Sequence, residues 1–310
     1  MTSENPRQLE LVQVVKKVVP QLSNALRKGQ CGRIGVFGGC VIYTGAPYFS
    51  GISALKCGAD LVHIICEKEA GHVIKSYSPE LIVHPILDTE YALEEIDKWL
   101  PSFHGVILGP GLGRNQSMSA RISLIIERVK ALSIPLVIDA DGLWHITNSP
   151  GVIKGYKKAV LTPNAVEFSR LVKSVLKRDV TPNVRPDPVL VGEVARALGG
   201  ITLVHKGEID IITDGTLTEM CIDDGCSRRC GGQGDLLSGT LAVFLYWACK
   251  NPVEIEKIGP GILAGWAAAR LSRACAAQAF ARHGRSTLTS DLITEIYSAF
   301  SRLYESETCI

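Results

Sequence analysis

Val, Ile and Leu crowd into short runs along this chain, separated by segments in which apolar residues recur at three- and four-residue intervals. Residues 33–38, 61–66, 81–84, 106–108, 136–138 and 159–161 are apolar runs broken only by Arg33, His63 and His84, which predicts strands buried on both faces. Residues 9–22, 46–58, 90–100 and 117–132 follow the helical period. This alternation predicts an α/β fold with a central, mostly parallel sheet flanked by helices on both faces. The pattern then changes. Residues 201–205, 209–213 and 217–221 are short strands separated by Lys206-Gly207 and Asp214-Gly215, which predicts a short antiparallel edge. Helices dominate from Asp235 onward. Residues 182–188 hold three prolines and predict a surface loop, not a domain boundary. With no internal repeat, residues 1–310 read as a single domain.

Composition narrows the class. The 310 residues are 46% hydrophobic and 21% charged with a net charge of +2, which predicts a folded globular chain without general attraction to nucleic acid or anionic membranes. The longest apolar stretch, 236–249, is too short to span a bilayer. The ten cysteines are irregularly spaced with no CxxC pair. They read as reduced thiols, and with an N-terminal segment unlike a secretory signal they predict a cytoplasmic protein. Cys221, Cys226 and Cys230 cluster, but a fourth ligand at zinc spacing is missing.

Candidate chemistry gathers at strand ends. In Cys230-Gly231-Gly232-Gln233-Gly234-Asp235, glycines precede an acid and a helical apolar run. Unpaired N–H groups and the helix dipole make such an N-terminus an anion hole, and glycine lets the anion approach. An acid at its rim, Asp235, can take a proton from a hydroxyl that attacks phosphorus; as an alternative, Asp235 is an N-cap. Asn164 and Glu167 follow the strand ending at Thr162. They either order water around a magnesium ion on nucleotide phosphates or form a capping box. In Gly109-Pro110-Gly111-Leu112-Gly113, backbone without Cβ atoms is expected to admit a flat or bulky ligand. Asp139 and Asp141 either line the site or cap a helix. Lys206, Gly207, Glu208, Ile209 and Asp210 lie at a turn upstream of the anion hole. Gly35-Val36-Phe37-Gly38-Gly39 and Thr44-Gly45-Ala46-Pro47 bracket the first strand-to-helix connection, and neither fits the dinucleotide fingerprint.

In order, GPGLG, DADGL, TPNAVEF, KGEID and CGGQGDLLSG resemble the ribokinase-like superfamily. More narrowly, they resemble its ATP-dependent NAD(P)H-hydrate dehydratases, and the likeness runs from about residue 12 to residue 302. The resemblance implies ATP-dependent dehydration of the S-epimer of hydrated NADH and NADPH, with magnesium accompanying ATP as co-substrate. By position it implies substrate binding by Gly111, by Asn164, Ala165, Val166 and Glu167, and by Phe168, Ser169 and Arg170. It implies ATP binding by 206–210, by Gly225, Cys226, Ser227, Arg228 and Arg229, and by Cys230, Gly231, Gly232, Gln233 and Gly234. Asp235 matches the catalytic acid, which also touches substrate. The partners implied are small molecules, with self-association possible. A small-molecule kinase of the same superfamily stays open as the alternative, as does a non-catalytic nucleotide-binding protein.

Overall fold

In a computed structural model, which describes residues 6–182 and 187–305, the apolar runs form nine strands. These are β1 (Arg33–Phe37), β2 (Leu61–Cys66), β3 (Leu81–Pro85), β4 (Gly105–Leu108), β5 (Leu136–Ile138), β6 (Ala159–Leu161), β7 (Thr202–His205), β8 (Asp210–Thr213) and β9 (Thr218–Cys221). They pair in the order β3-β2-β1-β4-β5-β6-β7-β8-β9. All pairs through β6–β7 are parallel, while β7–β8 and β8–β9 are antiparallel. β7, β8 and β9 thus form the expected antiparallel edge, and β7 joins it to the parallel sheet by pairing with β6. Of the proline-rich loop, residues 183–186 lie outside the described residues.

Successive side chains of each strand point to opposite faces, and two cores result. Ile34, Val36, Val62, Ile64, Ile107, Val137 and Val204 meet the helices Pro6–Val18, Gly45–Cys57, Gln233–Lys250, Pro260–His283 and Ile296–Tyr304. Phe37, Ile65, Val106, Leu108, Ile138, Leu161 and Leu203 meet the helices Ala92–Trp99, Ser119–Ala131, Asp141–Asn148, Ala165–Leu176 and Pro188–Ala197. Each fully buried Leu or Ile contributes roughly 1.5–3 kcal/mol. Asp141–Asn148 and Pro188–Ala197, which the pattern above does not bring out, pack on the sheet through Leu143 and Ile146 and through Val191, Val194 and Ala195.

The helix Gln233–Lys250 is buried at every position from Asp235 to Ala248, which explains why its sequence is largely apolar all round. Close approach fixes its place. A Cβ on Gly239 would lie 2.2 Å from the Ser50 carbonyl oxygen, so the helix crosses Gly45–Cys57 almost backbone to backbone. Pro260–His283 is seated the same way, since a Cβ on Gly261 would meet the Thr202 hydroxyl at 2.2 Å.

Candidate active site

The carboxyl ends of β5, β6 and β7 and the loops beyond β7 and β9 surround a cavity of about 1130 Å3. Open parallel sheets favour ligand sites at these ends, commonly at the switch point of strand order. Here the switch lies between β1 and β4, where a Cβ on Gly38 would sit 2.0 Å from the Pro110 carbonyl oxygen. The cavity opens farther along the sheet.

One wall is the start of Gln233–Lys250. Gly232 takes φ +96 as N-cap, where an L side chain would be strained and would also meet Phe49 and Thr289. No side chain caps this terminus, so the first N–H groups of the helix are available to an anion. The preceding loop is folded on itself. The Arg228 carbonyl accepts from the Gln233 side chain at 3.2 Å and from the Cys226 thiol at 3.1 Å, Arg229 donates to the Cys226 carbonyl, and Thr289 donates to the Gly231 carbonyl at 2.6 Å. Gly225, Cys226, Ser227, Arg229, Cys230, Gly232, Gln233 and Gly234 line the cavity; Arg228 and Gly231 do not.

Deeper in the cavity lies a compact charge cluster. Lys206, just past β7, donates to the Asp139 Oδ1 at 2.8 Å and has the Glu167 Oε2 at 4.0 Å. Asp139 is 1% exposed and also accepts from the Thr162 hydroxyl at 2.7 Å. Asp235 is buried in the first turn of its helix. Burial pushes its carboxyl well above the usual carboxylate range, the Asp139 charge pushes it further, and Lys206 opposes. A carboxylate so raised is a stronger base than a solvated one. Burial likewise raises Glu167 against the pull of Lys206. Burial disfavours the Lys206 ammonium, but Asp139 and Glu167 more than offset this and raise it.

Asn164 and Glu167 form a complete capping box. Asn164 Oδ1 accepts from the Val166 and Glu167 amides at 3.0 Å, and the Asn164 amide donates to Glu167 Oε2 at 2.8 Å. Both residues also line the cavity, so the structural and the site reading hold together. The rest of that stretch divides by helical period. Phe168 is buried against the edge of the His205 ring, while Val166 and Arg170 are exposed. Neither these three nor Ala165 and Ser169 line the cavity.

Gly109 and Gly111 of the GPGLG run stand against protein backbone on the side where a Cβ would project. A Cβ on Gly111, at φ +62, would sit 2.4 Å from the Tyr43 carbonyl oxygen, and one on Gly109 would sit 1.9 Å from the Asp139 carbonyl oxygen. These glycines let protein backbone close on protein backbone. Asp141 holds the loop's end, accepting from the Gly113 amide at 3.0 Å and from Arg114 Nε at 2.8 Å.

The turn 206–210 lines the cavity with Gly207, Glu208 and Ile209, while Asp210 accepts from the Gly207 amide at 2.9 Å and from Arg273 Nε at 2.7 Å. Arg273 also donates to the carbonyls of Asp223 and Gly207, each at 3.0 Å, joining the loops after β7 and β9. Sequence reasoning missed Arg273. It sits inside the helix Pro260–His283, far along the chain from its partners, and no local motif marks it.

Among the described residues, no three His, Cys, Asp or Glu side chains are disposed to hold a metal ion. Carboxylates of Glu167, Asp223 and Asp224 do line the cavity. Such a donor set fits a hydrated magnesium ion carried on nucleotide phosphates better than an all-protein cage.

Comparison with known proteins identifies the family. The profile of the NAD(P)H-hydrate dehydratase family matches residues 34–298. The ATP-dependent (S)-NAD(P)H-hydrate dehydratase of Mus musculus is 52% identical over 295 residues, covering 95% of this chain and 85% of the mouse protein. The Homo sapiens protein of the same name is 51% identical over 296 residues, again covering 95% and 85%. Among solved structures, a ribokinase-like superfamily protein from Enterococcus faecalis shares the fold with TM-score 0.76 at 19% identity, covering 95% of each chain. The ADP/ATP-dependent NAD(P)H-hydrate dehydratase of Bacillus subtilis, co-crystallised with ATP/Mg2+, does so with TM-score 0.63 at 19% identity, covering 93% of this chain and 97% of its own. The chain belongs to the NAD(P)H-hydrate dehydratase family.

Proposed function

We propose that this enzyme uses ATP to remove water from the S-epimer of hydrated NADH and NADPH, with Asp235 as its general base. The observation that carries the reading is the position of Asp235, buried in the first turn of an uncapped helix and at the wall of a cavity it shares with Lys206. Hydroxide leaves a reduced nicotinamide ring poorly. Asp235 takes the proton of the ring hydroxyl, and its oxygen bonds to the γ-phosphorus as the bond to ADP breaks. The amides of 233–235 and the Lys206 ammonium stabilise the charge on the transferred group. The ring nitrogen lone pair then expels phosphate, and loss of a proton from the neighbouring ring carbon restores the dihydronicotinamide. The balance is hydrated NADH plus ATP to NADH, ADP, phosphate and a proton.

Nucleotide phosphates fit the amides at the head of the helix and the loop 225–234, and of the residues that the resemblance assigns to the hydrated nicotinamide nucleotide, Gly111, Asn164 and Glu167 are proposed to face it. Magnesium bound with ATP would neutralise phosphate charge, its water held by Asn164 and Glu167. Among the described residues no helix is long and apolar enough to cross a membrane, and the described cysteines are free thiols. Both features accord with work in the cytoplasm on small-molecule substrates, alone or as a homo-oligomer.

The test is absorbance at 340 nm on incubation with chemically hydrated NADH, magnesium and ATP, with released phosphate measured alongside. An ATP-dependent rise with one phosphate per NADH supports the reading. A stable phosphate ester without the rise replaces it with a small-molecule kinase.

A further inference from the structure

The turn after β5, Asp139-Ala140-Asp141, is built around a strained residue. Ala140 holds φ +47 and ψ −120, a region that L residues leave unless their surroundings impose it, and such strain collects at functional positions. Its two neighbours face opposite sides of the site. Asp141 reaches back to Gly113 and Arg114, as described above. Asp139 reaches forward to Lys206.

Asp139 makes a more specific arrangement than an ion pair requires. Its Oδ1 takes both the Thr162 hydroxyl, at 2.7 Å, and the Lys206 ammonium, at 2.8 Å. Thr162 is fully buried and donates also toward the Ile138 carbonyl, at 3.3 Å. Three successive strand ends thus bear on one oxygen atom. A Cβ on Gly234 would lie 3.3 Å from the Lys206 Nζ and 3.7 Å from the Asp139 Oδ2. The ammonium is therefore held over the backbone of the first helical turn, where an anion bound to those amides meets it. A lysine has four rotatable side-chain bonds, and without a fixed partner its charge spreads over many positions.

We propose that Asp139 is a positioning residue of this site: anchored by Thr162, it clamps the Lys206 ammonium over the first turn of Gln233–Lys250, where that ammonium meets the nucleotide's phosphates. This rests on the reading that ATP binds at that helix terminus. The clamp makes a prediction opposite in sign to simple electrostatics. Removing a buried negative charge next to a polyanion site should by itself tighten ATP binding. Removing the clamp frees the lysine and weakens it.

The experiment is a double-mutant cycle on the full chain, with the Kd for ATP and magnesium measured by calorimetry and kcat and KM measured on hydrated NADH. Asp139→Asn and Lys206→Met are each expected to raise the ATP Kd about tenfold and to lower kcat about a hundredfold, within the range that one misplaced transition-state contact costs. The KM for hydrated NADH stays within about twofold, which a general loss of structure would not allow. The double variant is no worse than Lys206→Met alone, because Asp139 acts only through the lysine. Thr162→Val, which removes only the anchoring hydroxyl, gives a smaller loss that also vanishes in the Lys206→Met background, and it carries the test if Asp139→Asn does not fold. Tighter ATP binding in Asp139→Asn, or losses that multiply in the double variant, overturn the clamp. If the wild type binds ATP but restores no absorbance at 340 nm, the dehydratase reading falls, while the binding cycle still decides the role of Asp139.

Discussion

The Lys206 Nζ lies 3.3 Å from the point that a Cβ on Gly234 would occupy. The glycine therefore does more than let an anion near the helix terminus; it makes room for a lysine from another strand. Gly234→Ala should separate activity from stability. Alanine is the better helix former by roughly 0.5–1 kcal/mol, so the melting temperature should hold or rise slightly. The displaced ammonium should lower turnover by at least about tenfold, on the scale of a disturbed electrostatic contact. Thermal denaturation beside the 340 nm assay checks both; a variant with wild-type turnover would show that the ammonium has no required position.

Asp235→Asn keeps the shape of the side chain and removes the base. Turnover should fall about 10²–10⁴-fold, the contribution expected of general base catalysis. ATP affinity should stay the same or improve, since a buried negative charge beside the phosphates is gone. Weakened ATP binding together with near-normal turnover would move Asp235 from the chemistry to nucleotide binding.

The pH dependence follows from the raised carboxyl of Asp235, a shift caused first by burial and then by Asp139. The base works deprotonated, so kcat/KM should decline as pH falls, with its acid limb above the ordinary carboxylate range. Stability runs the other way. A carboxyl raised in the folded state favours folding while it is protonated, and this contribution is lost as pH rises through the folded value. Asp235→Asn, neutral throughout, should therefore melt a few degrees above the wild type at pH 8. The gap should close below about pH 3.9, the carboxyl's ordinary unfolded value. Melting curves across that range, paired with rate profiles, check both signs.

The crossing of Gly45–Cys57 over Gln233–Lys250 is a tight packing contact beside the site. A Cβ on Gly239 would lie 2.2 Å from the Ser50 carbonyl oxygen and 3.0 Å from the Ser53 Cβ. Gly239→Ala should destabilise by about 1–3 kcal/mol, the usual cost of overpacking, and should reduce kcat by tilting the helix that carries Asp235. Denaturant unfolding measures the first effect. Unchanged stability would mean that the two helices slide apart without cost.

Much of this enzyme is legible without coordinates, for a physical reason. Strands buried on both faces must be apolar at every position, so β1, β2, β4, β5 and β6 stand out as runs of Val, Ile and Leu. A helix terminus that receives an anion must be open backbone, so Gly231 to Gly234 followed by Asp235 mark themselves. Such requirements act between neighbours in the chain, and a linear pattern records them. The division of 164–170 was only partly visible: the helical period points Phe168 inward, but the sequence does not reveal that inward means the core beside His205 and not the cavity. The GPGLG glycines were legible as a place of close approach, but a missing Cβ does not name what approaches. Tertiary structure alone decided that protein backbone fills those positions, that Arg273 ties Asp210 to the loop after β9, and that Asp139, Thr162 and Lys206 share one oxygen atom. Those contacts join residues from different strand ends, and no local periodicity constrains which side chains meet once parallel strands bring their ends together.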